Sequence, residues 1–157
     1  MSVVSGQDLA KRLRASRRAL MTAAEGAPTA RLIARPAEGE WSVIEVLAHL
    51  IDVDYHYLGQ AMAIRDGTDH LYVGFDDARW KAEHPDDRER SLAEILGSLE
   101  KSHTAVLENV VLQTLPLLDR EGRHATRGVY TVRDVFERIP VHDENHARQI
   151  LEILAVV

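Results

Sequence analysis

The amino-acid sequence predicts an all-α protein built on four long helices. Four times, a Ser or Thr is followed three residues later by an acid, which is the capping-box pattern of a helix start. A long run with helical periodicity follows each pair, and no window alternates convincingly as a β-strand would. The four pairs are Ser5 with Asp8, Ser42 with Glu45, Ser91 with Glu94, and Thr131 with Asp134.

The size, net charge and composition of the chain limit the number of domains and the kinds of partner that we expect. A chain of 157 residues can bury one hydrophobic core, so we expect a single domain over residues 1–157. The net charge of −6, with both signs interspersed, argues against nucleic acid or an anionic membrane as the main partner. The lack of cysteine excludes disulfides and thiolate metal ligands. Since we find neither a signal-peptide pattern nor a run of ~20 apolar residues, we expect a cytoplasmic protein with no membrane span.

The first two predicted helices differ in how much of their surface is apolar. The first, residues 5–25, has one apolar face, and we expect its basic side chains to be solvated. These side chains are Lys11, Arg12, Arg14, Arg17 and Arg18. The second, residues 42–65, is apolar nearly all round and should be mostly buried. Its one polar strip holds Glu45, His49, Asp52, His56 and Gln60, and it is either an exposed face or the lining of an internal site. We expect Gln60 to be exposed, with His56 as the next exposed candidate. His49 lies at the margin of the apolar arc, which makes it a candidate metal ligand.

A long loop separates the second predicted helix from the third. Residues 66–90 show no period and are interrupted by glycine and proline, yet they include Tyr72, Phe75 and Trp80. We expect these aromatic side chains to pack across the helices. Roughly 24 residues at up to ~3.3 Å each can cover the ~30 Å of a helix, so helices two and three can be parallel.

The third predicted helix and the connector after it hold further candidates. Helix 91–113 places His103 among apolar residues, where a histidine is more often a satisfied core residue than a ligand. The connector 117–130 contains a local basic cluster formed by Arg120, Arg123, His124 and Arg127. Such a cluster is usually solvated, but it would favour an anionic ligand if it overhung the functional site.

The fourth predicted helix, residues 132–154, carries two histidines four residues apart. This spacing places His142 and His146 on one helix face about one turn apart, on the same side as apolar Ile139 and Ile150. Both imidazoles should therefore point toward the core. Pro140 interrupts the helix two residues before His142, at a cost of about 3 kcal/mol or more.

Three interpretations of the histidines compete. His142-Asp143-Glu144-Asn145-His146 is a variant of the zincin motif, which needs Glu where Asp143 stands and normally accompanies a sheet, so we disfavour it. The histidines can also be purely structural. In the third interpretation His49 joins His142 and His146 around one divalent ion. At 1.5 Å per residue, His49 lies ~10 Å from the start of the second helix and His146 ~12 Å from the end of the fourth. If these two helices are antiparallel, the three histidines lie at the same level along the bundle axis.

Several motifs, taken together and in order, resemble the DinB superfamily. They are Glu40-Trp41-Ser42-Val43-Ile44-Glu45-Val46-Leu47-Ala48-His49-Leu50-Ile51-Asp52, then Phe75-Asp76 and Trp80, then Thr131-Val132-Arg133-Asp134, and finally His142-Asp143-x-x-His146-x-x-Gln149-Ile150. The resemblance spans essentially the whole chain. Each motif is modest alone, but the first and last are fairly specific in combination.

The resemblance implies a four-helix bundle with up-down-down-up topology, in which the long loop joins parallel helices two and three. It also implies a divalent metal held by His49, His142 and His146. Characterised relatives include transferases and isomerases that use low-molecular-weight thiols such as bacillithiol or mycothiol. Many others have no known activity, and homodimers are common. Pro140 departs from the expected family pattern and affects the helix that carries the histidine pair.

We therefore expect a metal-dependent transferase acting on a small-molecule electrophile with an external thiol. Three neutral imidazoles leave the double charge of an ion uncompensated, which favours a bound thiol as the reactive thiolate. The alternatives are a metal-dependent hydrolase and a non-catalytic metal-binding dimer of unknown or stress-related role. Histidine ligands suit Zn, Ni, Fe and Cu alike, and Mn is a further candidate.

The remaining candidates are residues that surround the metal or contact the substrate. Asp143 either orients a histidine or bonds to a neighbouring helix, and Glu45 is expected mainly to cap its helix. The other candidates are Asp52, His56, His103, Arg123 and Arg127.

Overall fold

The computed structural model describes residues 3–157 and is mostly helical. Four long helices are present where the sequence predicted them, with shorter elements between. The helices are α1 (Gly6–Ala24), α2 (Thr29–Ile33), α3 (Val43–Arg65), α4 (Asp77–Glu83), α5 (Leu92–Val111), α6 (Leu115–Leu118) and α7 (Val132–Val156). The strands are β1 (Leu71–Tyr72), β2 (Glu121–His124) and β3 (Gly128–Thr131), and Asp87–Glu89 forms a 3-10 turn. Within residues 3–157, no helix is both long and apolar enough to cross a membrane.

Capping boxes start three of the four long helices. Ser5, Ser42 and Thr131 each accept a hydrogen bond from the backbone three residues on, and the acid there accepts one from the capping residue in return. Ser91 occupies the N-cap of α5 but makes no capping hydrogen bond with its side chain in the described part of the chain. The prediction of a fourth capping box was therefore wrong, although the helix starts where it was expected.

The four long helices pack around one hydrophobic core. Helix α1 and helix α3 each contact both α5 and α7. Gly6 permits a close approach of α1 to α5, because a Cβ atom there would lie 2.3 Å from the carbonyl oxygen of Val110 at the end of α5. The start of α1 therefore lies beside the end of α5. Helix α3 is the most buried element, as its nearly continuous apolar surface predicted.

A buried ion cluster joins all four long helices. Arg17 of α1 lies 2.8 Å from Asp54 of α3 and 3.0 Å from Asp143 of α7, measured between side-chain nitrogen and oxygen atoms. Ser102 of α5 donates a hydrogen bond to Asp54, and Ser16 of α1 donates one to Asp143. The prediction that Arg17 is solvated was wrong, because two carboxylates compensate its charge inside the bundle.

The structure departs from the all-α prediction in one small three-stranded sheet. Strand β2 pairs in parallel with β1 (Leu71 opposite Arg123) and antiparallel with β3 (Gly122 opposite Tyr130). Strands of two to four residues are too short to show the alternation that marks a strand in sequence. The sheet attaches the long loop after α3 to the hairpin that precedes α7.

Helix α7 runs through Pro140 without ending. The helix spans Val132–Val156, and Pro140 is buried inside it. The loss of one backbone hydrogen bond is therefore tolerated within a helix that packs on both α1 and α3.

Candidate metal centre

His49 lies on α3 inside a shell of aromatic rings. Its side chain is 0% exposed. Trp41, Phe75 and Trp80 approach its ring edge-on, with centroid distances of 5.1, 5.0 and 5.2 Å. Trp80 is held in place by its indole N–H, which donates to Asp52 Oδ2 at 2.6 Å. Phe75 and Trp80 of the long loop thus pack over the histidine together with Trp41 and exclude water from this side.

The two histidines of α7 complete a cluster with His49. The ring centroid of His146 is 5.0 Å from that of His49 and 5.8 Å from that of His142. Each of the three residues offers one ring nitrogen, and these three nitrogens all lie within 4.8 Å of one another. We call His49, His142 and His146 the histidine cluster.

All three imidazoles favour the neutral form that a metal ligand needs. Burial, together with the neighbouring histidines, lowers the pKa of His49 to about 3. Burial, His146 and Arg138 lower the pKa of His142 to about 4, and burial lowers the pKa of His146. A neutral imidazole keeps a lone pair available for a cation, and binding requires no proton release.

The unpartnered nitrogens of His49 show that the cluster fits a cation. Within residues 3–157, neither ring nitrogen of this buried side chain has a hydrogen-bond partner. Leaving both groups unpaired in an apolar environment costs free energy. The Nε2 atom lies 3.3 Å from Asp77 Oδ1, but the two atoms form no hydrogen bond and the neutral ring makes no ion pair. A divalent ion among the three nitrogens would give one of these two His49 nitrogens a partner, so the donor set fits a metal.

Two side chains hold the rings of the α7 histidines. The Nδ1–H of His146 donates to Gln149 Oε1 at 2.7 Å, which directs Nε2 of the same ring into the cluster. The hydroxyl of Tyr57 lies 3.2 Å from Nε2 of His142. Gln149 was part of the last sequence motif without an assigned role, and no pattern in the sequence distinguished Tyr57 from the other residues of its helix.

Sequence reasoning missed Asp77, the carboxylate that approaches the cluster. It is the first residue of α4, a helix of seven residues inside the segment that was predicted to be loop. Its side chain is 51% exposed, so it lies between the cluster and solvent. Burial raises the pKa of Asp77, and the nearby His146 partly opposes this. The Phe75-Asp76 motif lies next to it but did not distinguish Asp77 from other loop acids.

Three acidic candidates on α3 and α7 bond to residues outside the histidine cluster. Asp143 bonds to Arg17 and Ser16, which matches the alternative of a hydrogen bond to a neighbouring helix. Glu45 caps α3 and pairs with Arg35. Asp52 anchors Trp80, as described above.

The remaining candidates are on α3, α5 and the β2–β3 hairpin. The ring centroid of His56 lies 5.3 Å from that of Phe75, beside the cluster. Gln60 is 8% exposed, so the prediction that it lies on an exposed face was wrong. Its side-chain nitrogen is 3.0 Å from Nε2 of His56. Burial, with Arg17 and Arg14, lowers the pKa of His103 to about 4. Arg123 on β2 lies 3.4 Å from Asp69. The turn between β2 and β3 contains Arg127, which lines a surface cleft beside α7.

The bundle and its histidine cluster define a mostly helical protein that can hold a divalent metal. The chain belongs to the DinB superfamily, whose family model matches residues 12–150. The resemblance stated from the sequence motifs is thereby confirmed.

One solved structure has a similar fold at low sequence identity. YfiT from Bacillus subtilis, described as a probable metal-dependent hydrolase with an unusual four-helix bundle topology, superposes with a TM-score of 0.80. The two sequences are 19% identical, and the match covers 98% of this chain and 87% of YfiT. None of the curated proteins matches the chain.

Proposed function

We propose that the histidine cluster holds one divalent metal ion and that the protein is a metal-dependent transferase using a low-molecular-weight thiol as nucleophile. The observation that carries the proposal is the meeting of three neutral ring nitrogens within 4.8 Å in a partly buried site. A bound divalent ion supplies the positive charge that favours the thiolate form of a thiol. The thiol must come from outside, since the chain has no cysteine.

The protein's own residues position the reactants and move the proton. Trp41, Phe75 and Trp80 exclude water around His49, which strengthens electrostatic interactions there. Asp77, half-exposed at the edge of the cluster, is the group we propose as proton acceptor. The thiol proton passes to a carboxylate oxygen of Asp77, and the sulfur bonds to a carbon of the electrophile. The bond from that carbon to its leaving group then breaks, and the leaving group takes the proton from Asp77.

A second candidate function is a metal-dependent hydrolase. It is supported by the fold shared with YfiT, which is described as a probable hydrolase of this kind. In this case water replaces the thiol as nucleophile, and Asp77 accepts its proton. The third alternative, a metal-binding protein without catalysis, makes no use of Asp77.

Metal analysis and turnover assays distinguish these functions. We expect one equivalent of metal in the wild type and much less in His146→Ala, with the exposed His70→Ala variant as the matched control. With electrophiles and a panel of low-molecular-weight thiols, the transferase predicts turnover that requires the thiol and falls in Asp77→Asn while metal content is kept. Turnover without any thiol would favour the hydrolase. Stoichiometric metal with no turnover would favour the non-catalytic protein, and equal metal loss in both histidine variants would contradict the site.

We also propose the up-down-down-up order of the long helices. Arg17 and Asp143 meet midway along α1 and α7. Arg133, at the start of α7, donates to the carbonyl of Val4 just before α1. Together these two contacts support parallel α1 and α7. The approach of Gly6 to Val110 supports antiparallel α1 and α5. The pairs His49 with His146 and Tyr57 with His142 support antiparallel α3 and α7.

We propose in addition that the protein is a cytoplasmic homodimer that pairs through the outer groove between α1 and α7. Four alanines and Thr22 line this groove together with Arg18 and Arg148, and Leu151 beside them is 58% exposed. Light scattering after size exclusion tests the dimer. Ala19→Arg, in the groove, should give monomers, and Ala125→Arg, in the exposed turn before β3, should not. A monomeric wild type would contradict the proposal.

A further inference from the structure

A cleft rich in arginine lies beside α7, one helical turn from the histidine cluster. It is formed by α1, the β2–β3 hairpin and the first half of α7, and its volume is about 350 Å³. Its charged and polar lining consists of Arg12, Arg127, Tyr130, Asp134, Glu137 and Arg138. We call it the arginine cleft. We propose that the arginine cleft binds the oxyanion group, carboxylate or phosphate, of a small molecule.

The guanidinium groups of the cleft have no partners of their own. Among residues 3–157, Arg12, Arg127 and Arg138 make neither an ion pair nor a side-chain hydrogen bond, whereas Arg17 and Arg133 are paired with carboxylates. A guanidinium presents several N–H donors in a planar fork that matches the two oxygens of a carboxylate or phosphate. Three such groups around one cleft leave their donors available for an oxyanion.

The two acids of the cleft offset only part of this charge, because three arginines face two carboxylates. The Asp134 carboxylate is used by the capping box of α7, where Thr131 donates to it from its backbone N–H and its hydroxyl. Glu137 forms no hydrogen bond or ion pair within the described residues, although three arginines share its cleft. Its negative charge weakens anion binding without blocking it, so removing that charge should raise the affinity for an anion.

The cleft is placed to hold a molecule that reaches the histidine cluster. Arg138 precedes His142 by four residues on α7, so their Cβ atoms are ~6 Å apart on the same helix face. Val141, the neighbour of His142, lines the cleft. The inference does not depend on the proposed transferase, because an anion would bind here with or without metal and turnover.

Calorimetric titration of the full chain at low salt tests the proposal. The probes are succinate and inorganic phosphate, with sodium chloride as the blank, and low ionic strength keeps surface charges unscreened. We expect at least one of the two probes to bind the wild type, and their ranking separates a carboxylate site from a phosphate site. Loss of two charge-assisted contacts in the double variant Arg127→Gln/Arg138→Gln should weaken binding about tenfold or more.

Two further variants make the test specific. The double variant Arg14→Gln/Arg88→Gln removes the same charge from exposed positions outside both the cleft and the α1–α7 groove, and should change affinity less than about twofold. Glu137→Gln should tighten binding, because it removes a negative charge from the cleft and leaves the arginines. The proposal is overturned if neither probe binds the wild type at millimolar concentration, if both double variants lose affinity equally, or if Glu137→Gln weakens binding.

Discussion

Arg17 shows how much one residue's environment depends on distant parts of the chain. It lies in a run of basic residues on α1, yet it is only 6% exposed and contacts carboxylates of α3 and α7. Its neighbour Arg18 is exposed. The guanidinium compensates two buried negative charges that would otherwise repel each other.

We predict that Arg17→Met destabilises the protein by about 3–5 kcal/mol, because Asp54 and Asp143 would remain buried without a cation. Arg18→Met is the matched control and should change the free energy of unfolding by less than about 0.5 kcal/mol. Urea unfolding of both variants measures the difference. Replacing Arg17, Asp54 and Asp143 together by apolar residues should recover much of the lost stability, and failure to do so would contradict this explanation.

His103 should make folding stability depend on pH. Its pKa is lowered from 6.5 to about 4 by burial and by Arg17 and Arg14. Between these two values the unfolded chain binds more protons than the folded one, so the free energy of unfolding falls as the pH is lowered. This residue alone contributes a slope of up to about 1.4 kcal/mol per pH unit.

Urea unfolding of metal-free protein between pH 4.5 and 7.5 measures this slope. His103→Gln should have a shallower pH dependence than the wild type, with the difference confined to pH below about 6.5. His70→Gln, at an exposed position, should follow the wild type. Parallel curves for wild type and His103→Gln would show that His103 does not stay neutral in the fold.

At the level of elements, helix starts were well predicted but their hydrogen bonds were not. Ser42 accepts from the backbone of Glu45 and donates to its carboxylate, in a fully buried position. Ser91 has the same sequence pattern but is exposed, and its side chain makes no capping bond with any residue of the described chain. The same Ser-x-x-Glu pattern therefore stabilises the start of α3 more than the start of α5.

We predict that Ser42→Ala costs about 1–2 kcal/mol and Ser91→Ala less than about 0.5 kcal/mol. The reason is that, of these two serines, Ser42 alone satisfies an otherwise unpaired backbone N–H at its helix start. Thermal or urea unfolding of the two variants gives the comparison. Equal losses would mean that the α5 capping bond forms in solution as the α3 bond does.

For the whole molecule, metal binding should be linked to stability. A ligand that binds only the folded state stabilises it by ~4 kcal/mol at a thousand times its dissociation constant. We predict that Zn, Ni or another divalent ion raises the melting temperature of the metal-free wild type by several degrees. His146→Ala should lose this increase and His70→Ala should keep it. An unchanged melting temperature with every ion from Mn to Zn would contradict metal binding by the cluster.

Much of the fold and part of the candidate site were predictable from local patterns. Capping boxes and helical periodicity located the four long helices, and the four-residue spacing placed His142 and His146 on one face. The motifs identified the DinB superfamily, which the family model confirms. Asp77 was missed because α4 is too short to show a helical period, and the sheet was missed because its strands have at most four residues.

The sequence by itself determined where the long helices begin and end and which faces are apolar, since these depend on residues within a few positions of each other. Only the tertiary structure decided that His49 meets the α7 pair, that Arg17 lies between two carboxylates, and that Arg12, Arg127 and Arg138 share one cleft. Each of these contacts joins residues from different elements of the chain. Their distances follow from how the helices and the hairpin pack together, which no local pattern specifies.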